Sequence, residues 1–112
     1  MSKTKSDVPH GTLELFILRT LDTMGPLHGY AIARRIEQAA GGTTRLSQGA
    51  VYPALIRLEQ QGRIQTTWGV SETNRQVKFY EITGAGATQL RRQIESWEQS
   101  TALIARFLGA KP

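Results

Sequence analysis

The chain has no cysteine, and that one absence removes a disulfide framework, a thiolate metal site and a cysteine nucleophile together. Histidine is scarce. His10 stands in a polar N-terminal stretch and His28 follows Pro26 and Leu27 at a helix start, so neither has a catalytic or metal constellation around it. The sequence contains no GxxxxGK, GxSxG or HExxH, and Glu95 and Glu98, at i and i+3 without a histidine nearby, read as a solvated helix face. Neither catalysis, a cofactor nor a metal is expected. No segment approaches the roughly 18 apolar residues of a membrane span, and MSKTKSDVPH lacks an apolar run of signal-peptide length. A cytoplasmic protein with no membrane partner is expected.

What is present fits one domain of 112 residues with a formal net charge of +5, a balance that favours a polyanionic partner without naming one. Residues 1–10 are polar, contain Pro9 and lack periodicity, which reads as a mobile arm. The stretch GTLELFILRTLDTMG then forms a helix with apolar residues on nearly every side, among them Leu13, Phe16 and Ile17, so it should need more cover than one small domain provides. Gly25 and Pro26 end it. A second helix over 28–40 places Ile32 and Ile36 on one face, and Gly41 and Gly42 stop it. A third starts near Ser47 and stops at Gly62; Val51, Leu55 and Leu58 form its narrow core stripe, while Gly49, Pro53, Arg57 and Gln60 lie opposite, with Gln48 and Tyr52 on the flank.

From Arg63 the period becomes that of strands. Ile64, Thr66 and Trp68 share a face of one strand, Lys78, Tyr80 and Ile82 a face of the next, and the polar GVSETNRQ between them fits a long hairpin loop. After Thr83 and Gly84 a last helix carries Leu90, Ile94, Trp97, Thr101, Ile104 and Leu108 at spacings of four and three, a heptad seam with a polar break at Thr101. About 24 helical residues extend roughly 36 Å, longer than the preceding unit can cover. That seam is read as a homodimer interface shared with Leu13, Phe16 and Ile17. Its alternative is an amphipathic helix folded back on its own core.

Three segments in this order, GPLHGYAIARRI (25–36), GAVYPALIRLEQQGRI (49–64) and NRQVKFYEITGAG (74–86), resemble the PadR family of bacterial transcriptional regulators, specifically its short form with a single C-terminal helix. Val77 takes a place often basic in that family. The resemblance spans 11–108 and implies a mainly α fold with a small β-hairpin: a mobile arm (1–10), a winged helix-turn-helix (11–83), a long C-terminal dimerisation helix (84–108) and a tail (109–112). It further implies a repressor that binds double-stranded DNA, at a palindromic operator, as a homodimer. Such proteins are often released by a small-molecule effector bound near the dimer interface, where Trp97 or Trp68 is a candidate lining residue with packing in the core as the other reading. A winged-helix module for protein assembly or RNA binding, without operator specificity, is the remaining alternative.

Each candidate DNA-binding residue has a chemical reason and a plainer reading. Ser47 is an N-cap that can also meet a phosphate. Gln48 offers a donor and an acceptor to adenine, or is simply solvated. Gly49 permits close backbone approach or is simply a helix start, Tyr52 offers a hydroxyl to a phosphate or packs on the wing, and Pro53 meets a thymine methyl or stiffens the helix. Arg57, on the face taken as free, would contact a phosphate or guanine, or pair with a local glutamate. Asn74, Arg75 and Lys78 in the wing are phosphate or minor-groove candidates by their position beside the third helix, or are simply solvated. Tyr30, in the second helix, is a phosphate candidate by the family pattern, with packing as its plainer role.

Overall fold

The computed structural model describes residues 6–7, 10–41, 44–45 and 48–109, with side chains for 11–41 and 49–109. The elements follow as β1 (Ser6–Asp7), α1 (His10–Met24), β2 (Leu27–His28), α2 (Gly29–Ala39), β3 (Thr44–Arg45), α3 (Gln48–Gln60), β4 (Ile64–Val70), β5 (Gln76–Ile82) and α4 (Gly84–Phe107). β1 pairs with β3 in parallel, and His10 already belongs to α1. The rest of the expected arm and residues 110–112 of the tail lie outside the described residues.

α1 is the central helix, touching α2, α3, α4 and β5. Leu13, Ile17, Leu18 and Leu21 are buried in one cluster with Ile32 and Ile36 of α2, Val51, Ala54, Leu55 and Leu58 of α3, Ile64, Tyr80 and Leu90. Each such aliphatic side chain taken from water contributes about 1.5–3 kcal/mol before the entropy of ordering it. The expectation that α1 needs more cover than its own domain provides is therefore corrected for Leu13 and Ile17, which its own chain buries, while Leu15 and Phe16 stay half-buried. α1 ends at Gly25, whose φ of 81° suits a residue without Cβ, and its N–H returns to the Leu21 carbonyl at 3.0 Å.

The sheet is antiparallel in the order β2–β5–β4, with β4 and β5 in register from Ile64↔Ile82 to Val70↔Gln76. β2 pairs Leu27 with Tyr80 and His28 with Phe79. The expected loop over 69–76 is shorter than read. Gly69, Val70 and Gln76 belong to the strands, and the turn is closed over 71–75 by Ser71 N–H to the Arg75 carbonyl at 2.8 Å and Asn74 N–H to the Ser71 carbonyl at 2.9 Å. Gly69 pairs with Val77 in the ladder, and because a Cβ there would stand 2.8 Å from Cε2 of Phe79, its missing side chain is what seats that ring.

Thr83 joins the sheet to the last helix. Its hydroxyl accepts the Gly86 N–H at 3.1 Å as an N-cap and donates to the Gly62 carbonyl at 2.7 Å. Gly86 presses on the root of β4: a Cβ there would overlap the Arg63 carbonyl oxygen. Leu90 closes the core, Ile94 packs against its rim, and beyond them α4 runs on with almost every residue exposed. Among the described residues no helix is long and apolar enough to cross a membrane.

Candidate nucleic-acid interface

The start of α2, the outer face of α3 and the wing formed by β4 and β5 enclose an open groove of about 770 Å³. α3 turns Val51, Ala54, Leu55 and Leu58 inward, which leaves Gly49, Tyr52, Pro53 and Ile56 exposed on its other side. Tyr52 and Ile56 line the groove with His28, Gly29 and Tyr30 of the α2 start; Ser71, Thr73, Arg75, Val77, Lys78 and Tyr80 come from the wing. Among the described residues no carboxylate lines it. Hydroxyls, an imidazole and two cations are its polar groups, a surface suited to an anion.

Local sequence explains how these side chains are held. Gly29 lacks a Cβ, and the Tyr52 ring and hydroxyl lie 3.0 Å from where one would be, so the close seat of Tyr52 depends on that glycine. Tyr30 is exposed one residue into α2. Its hydroxyl accepts a long bond from Arg34 Nη1 at 3.5 Å, and the guanidinium lies 5.9 Å from its ring centroid, which leaves the phenolic proton free to donate. Lys78 is half-buried with Nζ 5.9 Å from the Tyr80 ring centroid. Burial pushes the Tyr80 phenol above its ordinary value, Tyr52 and Glu59 adding to the effect, so Tyr80 stays a neutral donor.

In the wing, Arg75 is exposed at the edge of the groove. Asn74 beside it adopts φ 61°, a left-handed conformation that asparagine tolerates, so it shapes the turn as well as standing exposed at the tip. The backbone of Gln48 opens α3, but its side chain, and Ser47 entirely, lie outside the described residues.

Arg57 departs from expectation. Its Nε donates to Oε2 of Glu14 on α1 at 2.7 Å, with the two side chains 34% and 15% exposed, so it is a bond between helices rather than part of the free face. Ala54, one turn before Arg57, is fully buried, so the buried stripe of α3, which packs on α1, is wider than Val51, Leu55 and Leu58 alone. Ile56 is the opposite case: it was not expected in the groove, although its position one turn after Tyr52 and away from Val51 marks an apolar residue on a free face. His28 and Gly29 were also missed as groove residues.

The expected dimer set divides in two. Leu13, Ile17 and Leu90 are 1%, 0% and 2% exposed inside their own core, which corrects their assignment to an interface. Phe16 and Ile94 are half-buried, while Trp97, Thr101, Ile104 and Leu108 are exposed. Trp97, Ile104 and Leu108 reach 62%, 56% and 79%, with Leu103 and Phe107 exposed beside them. Leu15, Phe16, Arg19, Ile94, Trp97 and Glu98 line a shallow groove of about 270 Å³ between α1 and α4. Trp97, and not Trp68, lines it. Trp68 stands exposed on the wing opposite Lys78, so neither tryptophan packs in the core.

Comparison with known proteins agrees with this architecture. Residues 17–92 match the family described as "Transcriptional regulator PadR-like family". A PadR-like transcriptional regulator from Bacillus cereus is 28% identical, superposes with a TM-score of 0.77, and is covered over 95% of its chain by 90% of this one. Bacillus subtilis PadR, solved in complex with operator DNA, is 27% identical with a TM-score of 0.66; the match covers 77% of this chain and 48% of that one. The transcriptional regulator YqjI of Escherichia coli is 34% identical over 104 residues, which are 90% of this chain and 47% of that protein. The chain spans half or less of the length of the curated relatives it matches. The chain belongs to the PadR-like family of transcriptional regulators.

Proposed function

We propose that residues 11–83 act as a winged helix-turn-helix that binds double-stranded DNA, and that the helix over 84–108 pairs two copies, so that the protein is a cytoplasmic repressor acting as a homodimer on a palindromic operator. The observation that carries this reading is the groove: α3 and the wing flank a channel lined by hydroxyls, Arg75 and Lys78 and, among the described residues, by no carboxylate. α3 enters the major groove with Gln48, Gly49, Tyr52 and Pro53 toward the bases and backbone, while Ser47, Tyr30, Asn74, Arg75 and Lys78 hold phosphates or the minor groove. That the related Bacillus subtilis PadR was solved with operator DNA supports the same assignment here.

The homodimer rests on the exposed seam Trp97, Thr101, Ile104 and Leu108, continuous with Phe16 and Ile94. Twofold symmetry then calls for two half-sites about one helical turn apart, or a multiple of it. A small-molecule inducer fits the groove at Trp97, where it would act by binding the DNA-competent and incompetent dimers unequally. The test is selection of bound fragments from a randomised duplex pool. The expected product is one enriched motif with twofold symmetry; recovery of unselected sequence from a pool that does bind would favour a module without operator specificity.

A further inference from the structure

His28 serves two structures at once. Its backbone belongs to β2, paired with Phe79, and its ring meets the Phe79 ring edge-on at 6.0 Å and 66°, which fixes the imidazole plane. Its side chain caps α2, with Nδ1 accepting the Ala31 N–H at 3.3 Å. An N–H can donate to Nδ1 only if that nitrogen carries a lone pair, so the single proton of the ring stands on Nε2. The cap thereby selects the tautomer that has a donor to spare.

The same residue lines the groove with Tyr30, Tyr52, Arg75 and Lys78. We propose that His28, as a neutral imidazole, donates its Nε2–H to a DNA phosphate seated in that groove. This rests on the DNA-binding reading above and adds a ligand to it. The contact differs in kind from those of Arg75 and Lys78: it displaces no counterion, so it contributes affinity without contributing to the salt dependence. It also couples the two jobs of the ring, because the acceptor that orders the first turn of α2 is what aims the donor.

The test uses the full chain, a fluorescein-labelled duplex of mixed sequence, and anisotropy over a salt series. His28→Ser keeps a good N-cap but cannot reach the phosphate. It should melt near the wild type, bind roughly tenfold more weakly, as loss of a hydrogen bond to a charged group predicts, and keep the wild-type salt slope. Nitrogen-15 spectra of the imidazole should show Nδ1 unprotonated and the Nε2–H signal moving when duplex is added, a measurement that needs no variant. Unchanged affinity in folded His28→Ser, or a proton on Nδ1, overturns the proposal while the DNA reading stands. If the wild type shows no salt-dependent binding, the DNA reading fails and this proposal fails with it.

Discussion

Replacing Arg57 by alanine separates two roles that sequence leaves together. The guanidinium holds Glu14 at 2.7 Å across the α1–α3 contact, and the variant leaves a carboxylate only 15% exposed without its partner. Breaking a fully buried pair costs about 3–5 kcal/mol. Because the Arg57 side chain is one-third exposed, solvent screens part of that, and about 2 kcal/mol remains. For a domain of this size that is a fall in melting temperature of roughly 10 °C. Circular dichroism at matched protein concentration reads it, so that any self-association weighs equally on variant and wild type. Arg57→Met combined with Glu14→Leu should recover most of the loss, because an apolar pair strands no charge. Duplex binding by the folded single variant should keep its salt slope. A melting temperature within about 2 °C of the wild type, together with a slope shallower by about one, would mean that Arg57 neutralises a phosphate and that the helix-to-helix assignment is wrong.

Trp97→Asp places a charge in the exposed seam of α4 and should give monomers with much weaker duplex binding; sedimentation velocity that still finds dimers refutes the seam. Arg75→Ala should weaken binding to every sequence and shallow the salt slope, whereas Gln48→Ala should change preference at particular base pairs, both read by fluorescence anisotropy. Gly86→Ala must move either α4 or the root of β4, since its Cβ would overlap the Arg63 carbonyl, and should cost about 2 kcal/mol or more in urea unfolding. The raised Tyr80 phenol binds its proton more tightly in the folded state, so its contribution to stability is complete below the ordinary tyrosine value near 10 and is lost as pH rises through the higher folded one. Ultraviolet titration with Tyr80→Phe as control checks it: the absorbance step missing in the variant should lie above that ordinary value.

Periodicity made the inner face of α3 and the cross-strand partners of β4 and β5 legible, because a repeat of 3.6 or of 2 sorts residues by face; burial follows it in α3 but not at Trp68, which shares a face with Ile64 and still stands exposed. Thr83 was legible for the same local reason, a hydroxyl at the mouth of a helix. Leu13, Ile17 and Leu90 were not, since an apolar face states only that something covers it and not which chain does. Arg57 shows a related limit: a helical wheel places a Cα, while a long side chain reaches a partner 43 residues away. β2, two residues long, has no period to read, and with it went the position of His28.

The joint at Thr83 and Gly86 has a mechanical consequence. With its N-cap Thr83 tied through the hydroxyl to the Gly62 carbonyl and through the N–H to the Arg63 carbonyl, and with Gly86 seated on Arg63, α4 leaves the root of β4 at a closely held angle. Its 24 residues then act as a lever about 36 Å long. A tilt of a few degrees at the pivot becomes a displacement of a few ångströms at Phe107. In the proposed dimer the same lever would work in reverse, so that a small change in how the two helices pair at their far ends would change the distance between the two grooves.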